Sequence, residues 1–88
     1  MKLCEGFVLR EIDGEAIVVA TGKASEKFNG MMRGNETTAR ICQLLMTDTT
    51  EEAIVDALSG EYAVSRETLE KDVHAVLTKM KEAGMLDA

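Results

Sequence analysis

Phe7-Val8-Leu9-Arg10-Glu11-Ile12-Asp13-Gly14-Glu15-Ala16-Ile17-Val18-Val19-Ala20 is the stretch that decides the fold. Two apolar runs rich in β-branched residues flank Asp13-Gly14. Asp-Gly suits a type I′ turn, because both central positions there need positive φ. A two-residue loop sets Ile12 opposite Glu15, Leu9 opposite Val18 and Phe7 opposite Ala20. Side chains alternate along a strand, so Phe7, Leu9, Val18 and Ala20 share the predicted core face. Val8, Ile17, Val19 and Arg10 take the other face. That face is more apolar than contact with solvent requires, which points to partial cover or a partner.

Downstream of the hairpin, Gly22-Lys23-Ala24-Ser25 reads as a loop, and Glu26 to Arg33 reads as a short third strand. Phe28, Met31 and Met32 are its apolar content, and Gly30 inside it suggests a bulge or a close backbone approach. Alternation sends one of Met31 and Met32 inward and the other outward. At the edge of a sheet, such a strand presents unpaired N–H and C=O groups that invite another strand.

The pattern then changes to helical. Asn35 is a good N-cap for a helix running to about Thr47, wide in its apolar arc through Ala39, Ile41, Cys42, Leu44, Leu45 and Met46. An arc that wide marks a central helix packed on several sides. Thr49 with Glu52 forms a capping box for a second helix, which buries Ile54, Ala57 and Leu58 and ends at Ser59-Gly60. Ser65 caps a third helix to about Ala83, with Gly84 beyond its end. Its stripe is Leu69, Val73, Val76, Leu77 and Met80, and Met85-Leu86 closes the core after it. Strands first and helices after predict an α+β fold. The architecture is a three-stranded antiparallel sheet followed by three helices, winged helix-turn-helix-like in arrangement.

The chain has 88 residues, of which 45% are hydrophobic and 30% charged, the balance of one small globular domain spanning residues 1–88. A chain of this size buries only about 60% of its unfolded surface, so a large enclosed substrate cavity is not expected. Sixteen acidic and ten basic residues leave a net charge of −6, which disfavours duplex nucleic acid and anionic membrane surfaces as partners. No window approaches the roughly 20 apolar residues of a membrane span, and the start lacks the apolar segment of a secretory signal. These readings predict a cytoplasmic protein, where Cys4 and Cys42 stay reduced.

Few residues could carry chemistry. His74 is the lone histidine, projected onto a solvent-facing flank beside Glu70 and Lys81, with no serine or cysteine placed as a nucleophile. Glu51-Glu52 and Glu67-Glu70 read as capping and solvated acids, and Glu67-Lys71 as a surface pair. Met46, Met80 and Met85 read as core. On the third helix Arg66, Lys71, Lys79 and Lys81 interleave with Glu67, Glu70, Asp72 and Glu82, where a DNA-recognition helix would present a cleaner basic face. No EF-hand, phosphate loop or zinc motif is present. The expectation is a protein that binds, without cofactor or metal, and not an enzyme.

Phe28-Asn29-Gly30-Met31-Met32, then Asn35-Glu36-Thr37, Ile41 and Leu44-Leu45, form a recognisable pattern. With Thr50-Glu51-Glu52, Tyr62, Val64-Ser65, Asp72-Val73, Leu77, Met80 and Gly84-Met85-Leu86, the chain resembles the PqqD family. These are small winged-helix-like domains also called RiPP recognition elements. The resemblance implies a peptide chaperone that binds the leader segment of a ribosomally made precursor. Such a chaperone presents the precursor to a modifying enzyme, often a radical SAM protein. It implies that the leader adds as an antiparallel strand to the third strand and lies in the groove beside the third helix. Carried over by position, Lys27, Phe28, Asn29, Met31, Met32 and Arg33 would supply the ladder and its side chains. Val73, Leu77 and Met80 would line the groove where not buried, with Lys71 and Lys81 at its rim.

The chain departs from the family pattern at two places. Arg33-Gly34 stands where an apolar strand usually continues, and Thr38 where a glycine is usual. Gly34 predicts a weakened end to the third strand. Two other readings share the fold: a winged-helix DNA-binding regulator, and an assembly domain whose edge strand pairs with a second copy to make a homodimer.

Overall fold

The computed structural model describes residues 1–22 and 31–87. Within them the chain runs β1 (Lys2–Leu3), β2 (Phe7–Ile12), β3 (Glu15–Ala20), β4 (Met31–Gly34), α1 (Glu36–Leu44), α2 (Glu51–Glu61), α3 (Arg66–Glu82) and β5 (Leu86–Asp87). The sheet order is β2-β3-β4, with both pairings antiparallel. Its hairpin has the predicted register, Phe7 with Ala20, Leu9 with Val18 and Ile12 with Glu15. Asp13 and Gly14 have φ of 51 and 81, the positive pair that a type I′ turn demands.

The two faces of the sheet separate as the alternation requires. Ala16 and Val18 are fully buried, and Phe7 and Leu9 are half-buried against the core. On the opposite face Val8 and Ile12 are 38% and 54% exposed. The third strand differs from its expected bounds. It begins at Met31, and the earlier positions Glu26 to Gly30 lie outside the described residues. It ends at Gly34, which pairs with Ala16 as the last position of the ladder.

Helix α1 packs on the inner face of the sheet and belongs to one buried cluster that includes Val18, Met32, Ile41, Leu45, Ile54, Leu58, Val73, Met80 and Met85. Each large apolar side chain buried in this way contributes about 1.5–3 kcal/mol. Asn35 caps α1 as expected, its Oδ1 accepting from the Thr38 amide at 3.0 Å. The helix ends at Leu44, short of the expected Thr47. There the Leu45 carbonyl accepts the amide of Leu3 in β1 at 2.8 Å, and the chain turns so that Leu45 is buried and Met46 is left 50% exposed. Met46 is therefore not a core residue.

The second helix is capped by Thr50, whose side chain accepts from the Ala53 amide. Thr49, the residue expected in that role, instead donates its amide to the Met1 carbonyl at 2.8 Å. Val55 is buried with Ile54 and Leu58, while Ala57 is only partly covered. The helix runs through Gly60 to Glu61. Two hydrogen bonds from Arg40 of α1 hold the Glu61 carboxylate, at 2.7 and 2.8 Å, and a bidentate pair of this kind fixes the last turn.

Helix α3 follows the sequence closely. Ser65 is its cap, Leu69, Val73, Leu77 and Met80 are buried, and Gly84 ends it at φ 75. Its i,i+4 ion pair is Arg66 with Glu70 at 3.2 Å, in place of the expected Glu67 with Lys71. The short sheet of β1 and β5, Lys2 with Asp87 and Leu3 with Leu86, has no counterpart in the sequence reading. It closes the core over Met85, which is fully buried. Cys4 and Cys42 are both free thiols.

Candidate functional site

Strand β4 lies at the end of the β2-β3-β4 order and pairs with β3 along one side. Its main chain from Met31 to Gly34 therefore has a second side at the sheet edge, where another strand can add. Met32 points into the core and is buried, and Arg33 points outward and is exposed. Met31 stands at the register position opposite Val19. Lys27, Phe28 and Asn29 lie outside the described residues.

On α3 the structure separates the sequence-derived candidates. Val73 and Met80 are fully buried and Leu77 is 5% exposed, so the three are chiefly core. Lys71 is exposed and lies nearly opposite Val73 on the helix circumference. Lys81 is exposed on the flank that faces α2, where the two helices are joined by Arg66 with Asp56 at 2.7 Å and His74 with Glu51 at 3.2 Å. There Leu77, His74, Thr78 and Lys81 line a cavity of about 320 Å³ with Glu51 of α2 and its cap Thr50. By helical projection Lys71 lies about 80° from Lys81, on the side of the helix away from Val76.

With α2 on that side, the opposite flank of α3 is the one carrying Asp72, Val76, Lys79 and Ala83. Val76 and Ala83 are half-buried against the core, and Lys79 is exposed. Val76 was visible in sequence as part of the apolar stripe. Lys79 was not separable there from the mixed charges around it.

Among possible nucleophiles, Cys42 is fully buried, and burial pushes its thiol up to about 11. His74 is exposed, its Nδ1 in contact only with Glu51 among the described residues. The described residues contain no group of three His, Cys, Asp or Glu side chains able to hold a metal ion, and no helix long and apolar enough to cross a membrane.

Residues 15–86, from the second strand of the hairpin to β5, match the family described as Coenzyme PQQ synthesis protein D (PqqD). The chain belongs to the PqqD family. Solved structures agree over nearly the whole PqqD-like fold. "TbiB1 in Complex with the TbiA(beta) Leader Peptide" is 27% identical, with a TM-score of 0.77 over 100% of this chain and 96% of that one. "Lasso peptide synthetase B1 complexed with the leader peptide" is 25% identical, with a TM-score of 0.70 over 96% of this chain and 93% of that one. Curated protein sequences gave no match. The α+β fold of a three-stranded antiparallel sheet followed by three helices is thus shared with proteins solved holding leader peptides.

Proposed function

We propose that this PqqD-family chain binds the leader segment of a ribosomally synthesised precursor peptide and presents it to a modifying enzyme, such as a radical SAM maturase. The observation that carries the proposal is the edge position of β4 in a fold whose solved counterparts are leader-peptide complexes. The leader adds antiparallel to β4, where main-chain hydrogen bonds supply affinity and alternate side chains supply specificity. Its inward side chains lie between β4 and the α3 flank of Val76, Lys79 and Ala83. Arg33 and Lys79 attract acidic leader residues, although the chain as a whole is acidic.

The role is recognition without catalysis, carried by a single domain that needs no cofactor. The buried, protonated Cys42 supports this, since a thiol acts as a nucleophile only as thiolate. We place the protein in the cytoplasm, where the precursor is made and the free thiols remain reduced.

Calorimetric titration with N-terminal segments of the short peptides encoded beside this chain tests the reading. Saturable one-to-one binding is the expected result. Absence of heat with every candidate peptide, in a folded protein, overturns it.

A further inference from the structure

The side of the sheet that faces away from the helices enters the leader site described above only at its β4 edge, through Arg33. Its positions are Val8, Arg10 and Ile12 on β2, Glu15, Ile17 and Val19 on β3, and Arg33 on β4. Val8 and Ile12 are exposed, and Ile17 and Val19 are only half-covered. The register puts Arg10, Ile17 and Arg33 in one row across the three strands, with Val8 and Val19 in another.

Charge on this face runs against the rest of the chain. The protein carries −6 overall, yet this face holds two arginines and, at the turn, one acid, Glu15. Among the described residues neither Arg10 nor Arg33 forms an ion pair. Glu11, the neighbour of Arg10, is on the opposite face, where its carboxylate accepts from Gln43 of α1. Aliphatic side chains framed by arginines that form no ion pair among the described residues have the composition of a protein interface, in which arginine is enriched and acids are depleted.

We infer that this outer face docks the peptide-modifying enzyme, through a surface with an apolar centre and an acidic rim, and that a bound leader enlarges the docking surface. The inference rests on the leader-binding reading for its second part. Stacking two copies of the face would set arginines against arginines, which disfavours a second copy of this chain. Two arginines divided by aliphatic residues make a poor track for a nucleic-acid backbone, which is bound through many phosphates.

The coupling follows from the geometry of the sheet. Three strands spaced about 4.8 Å apart and about 20 Å long cover roughly 300 Å². That is well below the ~800 Å² per partner of a stable complex. A leader paired to β4 becomes the fourth strand, and every second leader side chain then joins this face beside Arg33. The surface grows by about a third. Leader and enzyme consequently raise each other's affinity by the same factor, as linkage requires.

The experiment titrates the modifying enzyme encoded beside this chain into the full-length protein, with and without saturating leader peptide. It uses the wild type and a variant carrying Val8→Ser and Arg10→Glu, both on β2, the strand farthest from the leader edge. The expected result is enzyme affinity at least threefold higher with leader present. The variant weakens enzyme binding tenfold or more and keeps leader affinity within twofold. If that variant is not folded by circular dichroism, Ile12→Glu on the exposed strand end replaces it. Enzyme binding unchanged in a folded variant overturns the inference. So does a doubling of mass in the protein alone, or salt-sensitive binding of single-stranded DNA, that the variant abolishes. Enzyme binding that the variant weakens, in a protein that binds no leader, supports the docking face and overturns the leader reading and its coupling.

Discussion

Gly34 of β4 and Thr38 of α1 share one small volume. A Cβ built on Gly34 would stand 2.5 Å from the Cβ, Cγ2 and Oγ1 of Thr38, and Thr38 is itself buried, its hydroxyl donating to the Asn35 cap at 3.1 Å. The two positions are therefore sterically coupled: glycine in the strand makes room for the threonine in the helix. Gly34→Ala should cost about 1–3 kcal/mol through overpacking. Adding Thr38→Gly should recover part of that loss, although glycine in a helix costs about 1 kcal/mol by itself. Denaturant midpoints of the two single variants and the double variant measure the coupling.

Strand addition makes a second prediction at Met31. Met31→Pro removes one backbone donor from β4, and proline is tolerated in edge strands. The helical circular dichroism signal should persist while leader affinity falls tenfold or more. A folded variant with undiminished leader affinity would show that the peptide binds elsewhere.

The core and the surface should respond differently to truncation. Ile41 is fully buried, so Ile41→Ala should cost about 2–5 kcal/mol. Met46 is half-exposed beyond the end of α1, so Met46→Ala should change stability by less than about 0.5 kcal/mol. Urea unfolding of both variants tests the corrected helix boundary.

Acid should loosen the junction of α1 and α2. The hydrogen bonds from Arg40 hold the Glu61 carboxyl below its ordinary range. The folded state then takes up this proton less readily than the unfolded state. Its stabilising contribution is present above the ordinary carboxylate range and is lost as pH falls through the depressed folded value. Arg40→Met should lower the thermal midpoint at about pH 7 and converge with the wild type at about pH 2.

The two thiols should be distinguishable. Cys42 is buried and its thiol is raised to about 11, whereas Cys4 is partly accessible. A disulfide reagent should titrate one thiol in the folded protein and two in denaturant. Rapid reaction of both in buffer would mean that α1 is not packed as described.

The features legible in sequence were those settled within a few residues. Asp13-Gly14 fixed the hairpin register because the turn needs two positive φ angles. Asn35 and Ser65 each cap the amide three residues ahead, and Gly84 ends α3 in a conformation that side chains resist. The buried stripe of α3 followed from its period, and β4 was recognised as an edge strand before its bounds were known.

Tertiary structure decided what depends on residues distant in the chain. Helix α1 stops at Leu44 because Leu45 turns inward and offers its carbonyl to Leu3. Helix α2 passes through Gly60 because Arg40 holds Glu61, and Thr49 yields the cap to Thr50 because its amide is bound to Met1. The flank of α3 that α2 covers was decided in the same way. Helical periodicity places Lys79 and Lys81 on either side of one stripe, but only the packing of α2, through Glu51 and Asp56, determines which side is occupied. Propensity and turn chemistry act over one turn of chain, whereas the choice between two equivalent flanks belongs to the element that packs against one of them.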